Sequence, residues 1–157
     1  DLLIDSFKNV KSVLYIVGKG PEENNLKKLV NELNLHKKVI FLGFKSGEEL
    51  NKIIYNSIAV ILPSQRYENG PYSAIEALSL GKPLIVSNYG GLPELIDKNG
   101  YVFNNKLELE LYLKEFCVIS KSEYYNLCIN SLDIYKSKYH NSNYVKNILG
   151  YLNKCIH

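Results

Sequence analysis

Apolar, β-rich runs alternate with helix-patterned segments along the first two thirds of the chain. Each segment between the runs carries apolar residues at the 3.6-residue helical period, and glycine or proline marks the changes. Runs that are apolar on both faces are typical of parallel strands covered by helices on both sides. The alternation therefore predicts an α/β fold with a parallel sheet of about five strands and helices on both faces. The five runs are Val13–Val17, Val39–Leu42, Ala59–Leu62, Leu84–Val86 and Tyr101–Phe103.

The remaining pattern is helical and shows no break that would indicate a linker. Helices are predicted to open at Pro21, to span 47–55, to run from Pro71 to about Leu80, and to start again at Pro93. The last third predicts helices near 107–117, 121–138 and 142–156. We therefore expect one domain over 1–157, with an α/β core over about 1–103 and a helical tail over about 107–157.

Composition excludes several classes of function. The net charge of +3 over 157 residues, without a dense Lys/Arg cluster, argues against nucleic-acid binding. No apolar run approaches the roughly 20 residues that span a bilayer. Cys117, Cys128 and Cys155 are odd in number and widely spaced, which argues against disulfides or a zinc site and favours a cytoplasmic protein. Asp1 opens directly into an apolar helical pattern, and we expect that an upstream segment has been removed.

Ligands of open parallel sheets bind beyond the carboxyl ends of the strands. Gly18-Lys19-Gly20 follows the first strand, as in a dinucleotide fingerprint, but Glu23 stands where the third glycine belongs. The pattern disfavours a dinucleotide oxidoreductase. It leaves open whether this loop is a tight turn or contacts phosphate. The loops predicted at this edge are Gly18–Pro21, Gly43–Lys45, Ser64–Tyr72 and Ser87–Gly91.

The loop after the third strand leads into a helix and carries two carboxylates. Free N–H groups and the positive dipole end of such a helix favour anions such as a diphosphate. Glu76 lies one turn inside the helix, and its side chain leans toward the helix start. Glu68 stands in the loop ahead of it. Two carboxylates approaching one crevice suit pairs of sugar hydroxyls.

The residues alone support a structural interpretation of Glu76, as a helix-capping residue, equally well. Ser73-x-x-Glu76 is a capping box, in which the glutamate bonds back to the serine N–H. Pro71 favours the first helical position, which would make Gly70 the cap and place Glu76 in the second turn.

Two interpretations are also open for the turn at Gly90-Gly91, which is followed by Pro93-Glu94. Two glycines allow the backbone to approach a ligand closely, and Pro93 starts another helix N-terminus. Alternatively, the segment is a turn in which Glu94 stabilises the helix dipole.

The order of these motifs resembles the C-terminal domain of GT-B glycosyltransferases, in the glycosyl transferases group 1 family of retaining family 4 enzymes. The resemblance is close over about 1–103 and loose over the tail, and it implies a Rossmann-like domain that is one half of a GT-B fold. Its motifs are Leu14-Tyr15-Ile16-Val17-Gly18-x-Gly20-Pro21, Val39–Gly43, Leu62-Pro63-Ser64, Tyr67-Glu68-x7-Glu76-Ala77-Leu78-x2-Gly81-Lys82-Pro83 and Gly90–Ile96.

The resemblance also implies roles for individual residues. Glu68 would contact donor-sugar hydroxyls near the reacting carbon, as the candidate catalytic residue, and Glu76 would bind the ribose hydroxyls. Asn69, Gly70, Pro71 and Tyr72 would present backbone groups to the sugar and diphosphate. Gly43, Phe44 and Lys45 would pack along the nucleobase, and Gly18 would lie at the phosphate edge. No metal and no cofactor are implied.

The implied activity is transfer of a hexose-type sugar, with retention of configuration, to a polysaccharide or glycolipid acceptor. Asn69-Gly70-Pro71 departs from the usual Gly-Phe-Gly after the first carboxylate, and Pro71 has no N–H to offer. The Arg/Lys diphosphate clamp and the acceptor domain of the family lie upstream of Asp1. The fragment alone is therefore expected to be inactive, and the alternative is a non-catalytic nucleotide-sugar-binding module.

The implied partners are a nucleotide-sugar donor and, through an N-terminal domain absent from this sequence, a sugar or lipid-linked acceptor. A homodimer through exposed C-terminal helices is a further expectation. In the full-length enzyme we expect a cytoplasmic location, including peripheral attachment at the inner membrane face.

Overall fold

The computed structural model describes residues 1–67, 71–140 and 142. Strands and helices alternate as predicted, which confirms the α/β fold class. Helices and strands are numbered along the chain, with one 3-10 turn and one π-helical turn left unnumbered. The elements are α1 Leu2–Ser6, β1 Leu14–Val17, α2 Glu23–Glu32, β2 Val39–Gly43, α3 Gly47–Tyr55, β3 Val60–Leu62, α4 Tyr72–Ser79, β4 Leu84–Ser87, the 3-10 turn Leu92–Leu95, β5 Gly100–Phe103, α5 Lys106–Val118, α6 Lys121–Ile134 and the π turn Tyr135–Tyr139.

All strand pairs are parallel, and hydrogen bonds divide the strands into two groups. Strand β1 pairs with β2, and β4 lies between β3 and β5. Strand β4 is buried along its whole length, whereas every residue of β3 is half-buried. The predicted strands are therefore all present, but they form a two-stranded and a three-stranded sheet.

The first hydrophobic core joins the two sheets on one side. Its buried members come from α1, α2 and α5, from both sheets and from the segments beside them, and Ile16 and Ile61 pack against it. Because one cluster contains residues of both sheets, the sheets share a core although they do not share hydrogen bonds. The cluster's buried residues are Ile4, Phe7, Val10, Leu14, Val30, Leu35, Val39, Ile85, Phe103, Leu109, Leu113 and Phe116.

A second core covers the opposite face of the three-stranded sheet. Buried side chains of α3, α4 and the 3-10 turn meet Leu84 and Val86 of β4 there, and Ile134 of α6 joins them. No described residue of β1 or β2 belongs to this second cluster. Tyr15 and Ile40, paired neighbours on β1 and β2, consequently remain 51% and 37% exposed.

The helical tail is confirmed as far as the described residues reach. The Asn105 side chain caps α5 by accepting from the Glu108 N–H at 3.0 Å. Ser120 and Glu123 form a capping box at the start of α6. Helix α6 passes into the π turn at Tyr135, where the prediction had a continuous helix to 138. The helix predicted over 142–156 lies outside the described residues apart from Ser142, so the dimer expectation built on it stays untested.

Helix α2 begins later than predicted. Pro21 and Glu22 form a turn, in which the Glu23 N–H donates to the Gly20 carbonyl at 3.2 Å, and the helix starts at Glu23. Helix α3 has the predicted bounds. The other differences are of one residue at element ends, which is the usual uncertainty of such boundaries.

The ion pair between Asp5 and Lys106 ties α1 to α5, and the pairing of Asp5 with two lysines predicts a pH dependence of stability. Hydrogen bonds from Lys106 and Lys8 lower the pKa of the Asp5 carboxyl from 3.8 to about 2. Because the folded-state pKa is the lower one, the stabilisation is present above about pH 4 and is lost as the pH falls to about 2. We expect Asp5→Asn to flatten the fall of Tm over this interval, measured by thermal unfolding. Glu32→Gln, at an exposed acid of α2, should leave the slope unchanged.

Candidate functional site

Two predicted site loops meet at the carboxyl ends of β1 and β2. The Gly18 N–H donates to the Gly43 carbonyl at 2.8 Å. Gly18 has a φ of 121° and Gly43 a φ of 68°, values that disfavour any residue with a Cβ. The glycines are thus required by the turns that end both strands. This favours the tight-turn reading of the first loop, and it places Gly18 directly beside the loop that carries Phe44.

Phe44 and Lys45 lie in different environments within the loop that follows β2. The Phe44 ring is 68% exposed, although it follows a half-buried strand. The Lys45 ammonium instead pairs with the Glu49 carboxylate at 2.5 Å, in the first turn of α3. The loop therefore presents an aromatic ring to solvent at the sheet edge, while its cation is held by α3.

Lys19 lies at the same edge, although no motif in the sequence indicates it as a site residue. A Cβ added at Gly43 would lie 3.8 Å from the Lys19 Cε, so the lysine side chain passes over this glycine. A cation between the two glycine turns is suited to an anionic ligand. The Gly-x-Gly pattern drew attention to its glycines, and only the pairing of β1 with β2 brings Lys19 over Gly43.

The loop after β3 is fixed to the neighbouring strand and opens onto α1. The Ser87 hydroxyl donates to the Ser64 carbonyl at 2.5 Å, which joins this loop to the carboxyl end of β4. An open cleft of about 300 Å³ separates the start of α1 from the loop. Nothing in the sequence pattern indicates that α1 begins at this edge. The cleft is lined by Asp1, Leu2, Leu3, Pro63, Ser64, Gln65 and Arg66.

Helix α4 starts one residue later than predicted. Pro71 takes an extended conformation, with φ −63° and ψ 131°, and serves as the cap residue, so Tyr72 is the first helical residue. The prediction of Gly70 as cap and Pro71 as first helical residue is thereby corrected. The Tyr72 side chain is 85% exposed at this helix start.

The capping-box reading of Glu76 is wrong in this structure. Ser73 is the second residue of α4 and not its cap, and the helix start has no side-chain cap bond. Glu76 is half-buried, and within 1–67 and 71–140 its carboxylate has no hydrogen-bond or ion-pair partner. By contrast, the carboxylates of Asp5, Glu23 and Glu49 are all paired with lysines. Glu76 is therefore free to accept hydrogen bonds from a ligand.

The segment Glu68, Asn69 and Gly70 lies outside the described residues. The roles expected of these three residues, including the catalytic role of Glu68, consequently stay predictions. The site residues that the structure does bring to the carboxyl edge are Gly18, Gly43, Phe44, Lys45, Pro71, Tyr72 and Glu76.

The turn after β4 is anchored in the second core. Leu92 and Leu95 are fully or almost fully buried, and the Glu94 N–H donates to the Gly91 carbonyl at 3.2 Å. Burial and the nearby Glu94 carboxylate raise the pKa of the Tyr139 hydroxyl. The burial of Leu92 and Leu95 and the turn hydrogen bond favour the turn interpretation of this segment over direct ligand contact.

None of the described helices combines the length and the apolar character that crossing a bilayer requires. Within the same residues, no three His, Cys, Asp or Glu side chains are grouped as a metal site would need.

Solved glycosyltransferases share the fold of this chain. HepE of Anabaena, crystallised with UDP and glucose, superposes with a TM-score of 0.83 at 22% identity. The match covers 98% of this chain and 44% of HepE. The galactosyltransferase WaaB of the lipopolysaccharide outer core gives 0.81 at 20% identity. The chain thus has the architecture of one half of a GT-B glycosyltransferase.

Relatives at higher identity are also glycosyltransferases, and they are longer. An uncharacterized glycosyltransferase of Methanocaldococcus jannaschii is 40% identical over 83 residues, which is 53% of this chain and 21% of the relative. The O-antigen biosynthesis glycosyltransferase WclY of Escherichia coli is 33% identical over 107 residues, 68% of this chain and 30% of WclY. The model of the family described as "Glycosyl transferases group 1" matches residues 1–124. The chain therefore belongs to the glycosyl transferases group 1 family.

Proposed function

We propose that this chain is the donor-binding domain of a retaining glycosyltransferase that uses a nucleotide-diphosphate sugar. One observation carries the proposal: the half-buried Glu76 carboxylate has no partner among the described residues, and it lies one turn inside a helix that starts at the carboxyl edge. An unpaired carboxylate in that position suits the two hydroxyls of a ribose. Family membership and the site's position in the fold support the same assignment.

The nucleobase would lie along the loop at the end of β2. Phe44 offers an exposed ring for stacking, and Gly43 lets the backbone come close. Solved relatives carry nucleotides of this kind. HepE was crystallised with UDP-glucose, and TarM of S. aureus and the pneumococcal O-GlcNAc transferase GtfA were solved with UDP.

The diphosphate and the sugar would lie at the start of α4. The N–H groups of Tyr72 and Ser73 occupy the first two helical positions, where a helix has no acceptors of its own. Together with the helix dipole they would stabilise charge on the departing diphosphate without a metal. Lys19 adds a cation at the neighbouring turn, and Glu68 would contact the sugar near its reacting carbon.

The acceptor would be a growing polysaccharide or a glycolipid, and the transferred sugar a hexose. Relatives are named for the biosynthesis of amylovoran, colanic acid and O-antigen, all of which are polysaccharides. Since the chain spans 44% of HepE, the acceptor would bind to a second domain that faces these loops, and residues 1–157 alone would be inactive. The complete enzyme would work in the cytoplasm, at or near the membrane.

A competition experiment tests the proposal. Ligand-observed NMR with UDP, GDP, ADP, NAD and the corresponding nucleotide-sugars should show saturable binding of one nucleoside diphosphate and its sugar conjugate. Preferential binding of NAD would contradict the proposal. In the complete protein, binding of the nucleotide-sugar without any transfer or hydrolysis would instead indicate a non-catalytic binding module.

Phe44→Ala should weaken nucleotide binding without loss of stability. Stacking of a base on an aromatic side chain contributes about 1–3 kcal/mol, and we expect the binding free energy to weaken by about 1 kcal/mol at this exposed position. Tyr55→Ala is the matched control, because its ring is 66% exposed at the far end of α3. Titration by NMR should show weaker binding for the first variant only. Equal losses in both would exclude stacking on Phe44.

A further inference from the structure

Helix α5 carries an apolar stripe on its solvent side. The side chains of Leu107, Leu111 and Val118 are 78%, 52% and 82% exposed, whereas Leu109 and Leu113 of the same helix are buried in the first core. The exposed residues follow one another by four and then seven positions, which is the spacing of a single helix face. They therefore form one continuous stripe that faces away from the core.

One flank of this stripe is an acidic row. Glu108 and Glu115 are seven positions apart, so they lie along the same side of the stripe. Hydrogen bonds from the Asn104 backbone and side chain lower the pKa of the Glu108 carboxyl, which therefore keeps its charge. On the other flank Glu110 is paired with Lys106 at 3.6 Å. The unpaired negative charge thus lies on one side of the stripe.

The stripe ends at an open cleft of about 480 Å³ between the end of α5 and the start of α6. Tyr101, near the amino end of β5, lines this α5–α6 cleft, so the cleft lies at the sheet edge opposite to the proposed donor site. The Tyr112 ring stacks on Tyr101 with centroids 4.4 Å apart, and Phe116 meets it edge-on at 5.7 Å. These two contacts hold the Tyr101 ring in place as a wall of the cleft.

The α5–α6 cleft combines apolar surface with negative charge. Its lining includes Val118, Leu127, Glu115 and Glu123. Burial and these two carboxylates raise the pKa of the Tyr101 hydroxyl, so both charges lie near the ring. Such a cleft suits a long basic side chain, whose stem packs on apolar surface while its head pairs with carboxylates. Arginine fits best, because its planar guanidinium also stacks on an aromatic ring.

We propose that the stripe of α5 and the α5–α6 cleft together form a docking surface for a basic amphipathic helix of another protein. Aliphatic residues on one face of that helix cover Leu107, Leu111 and Val118. Arginines along one side of it face Glu108 and enter the cleft. Lys114, which is exposed on the same face of α5, lies opposite an acidic residue of the partner.

The charges of the surface distinguish this partner from other occupants. A second copy in an antiparallel two-fold pairing along the stripe would place the acidic row of one molecule against that of the other, which is unfavourable. The one arginine in the sequence, Arg66, follows β3 at the opposite edge of the sheet. An anionic membrane surface would be repelled by the same glutamates. A basic helix complements the surface in both charge and apolar character.

A synthetic peptide tests the docking surface on residues 1–157. The probe is a helix of about three heptads, with leucine at the a and d positions and arginine at e and g. Calorimetric titration should show saturable binding of one peptide per protein, and NMR shift changes should locate the peptide on α5 and at the cleft. The same peptide with glutamate in place of every arginine should not bind.

Two variants separate the charged from the apolar contribution. Glu115→Gln keeps the side-chain size but removes a charge, and it should weaken binding of the arginine peptide by about tenfold. Val118→Ser should also weaken binding, with Tm unchanged because the side chain is exposed. Glu48→Gln on α3 and Ile58→Ser after it alter exposed residues elsewhere and are the matched controls. Both controls should bind the peptide as tightly as the unaltered protein.

Equal binding of the arginine and glutamate peptides would overturn the proposal, as would unchanged affinity in Glu115→Gln and Val118→Ser. Sedimentation that shows a dimer, abolished by Val118→Ser, would assign the surface to a second copy and overturn it as well. So would binding to vesicles of phosphatidylglycerol and phosphatidylcholine that the same substitution abolishes. Nucleotide binding takes no part in these measurements, so their failure leaves the proposed donor site unaffected.

Discussion

Gly100→Ala is expected to destabilise the protein by about 3 kcal/mol or more, because the added methyl group has no space. Gly100 opens β5 and pairs directly with Leu84 of β4. A Cβ at this position would overlap the Leu84 carbonyl oxygen and lie within 2.9 Å of the Leu84 carbonyl carbon and nitrogen. The contacts are backbone atoms of the fully buried central strand, so no side chain can rotate away.

The preceding residue prevents β5 from moving aside. Asn99 is completely buried, accepts from the Asp97 N–H at 2.7 Å and donates to the Leu95 carbonyl at 3.1 Å. We expect Tm to fall by roughly 6–12 °C, measured by thermal and urea unfolding. Gly20→Ala is the control, because a Cβ there meets nothing within 4 Å. Equal stability of the two variants would contradict the tight pairing of β4 with β5.

Glu76→Gln is expected to weaken binding of ribose-containing nucleotides by about 1–3 kcal/mol, or about 5-fold to 150-fold in Kd. The substitution keeps the side-chain volume but removes the charge that strengthens hydrogen bonds from the two ribose hydroxyls. Stability should change little, because the carboxylate has no partner among the described residues. The affinity is best measured by NMR titration in the protein that carries this domain together with its acceptor half.

Glu32→Gln serves as the control for that experiment, since Glu32 ends α2 at the opposite edge of the sheet. Unchanged nucleotide affinity together with a lowered Tm would return Glu76 to a structural role and contradict the ribose assignment. A loss of affinity in both variants would indicate a general effect of charge on the anionic ligand.

Much of the fold could be predicted from local patterns. The bounds of α3 are those predicted, because Gly47 opens and Tyr55 closes a short amphipathic stretch with strong periodicity. The carboxyl-edge loops were also predictable, since Gly18 and Gly43 end apolar runs and parallel strands end at a common edge. The bounds of α3 and the positions of these loops both depend on residues that lie close together along the chain.

Other features were decided only by the three-dimensional structure. The start of α4 at Tyr72, and with it the exclusion of a capping box at Glu76, followed from the extended conformation of Pro71. The position of Lys19 over Gly43 follows from the pairing of β1 with β2. The helix and strand propensities of these residues, and their spacing along the chain, do not indicate which of several local arrangements forms. They also do not indicate which distant residues come into contact.

The sequence by itself determined the α/β alternation, the edge at which ligands bind and the family, because periodicity and glycine–proline punctuation are local and directly readable. Only the tertiary structure decided that the strands form two hydrogen-bonded groups, that Glu76 is unpaired and half-buried, and that α1 begins beside the loop after β3. The physical reason is that backbone pairing and side-chain burial are set by residues tens of positions apart. A run such as Val60–Leu62 has the apolar pattern of a central strand whether or not another strand pairs with each of its edges.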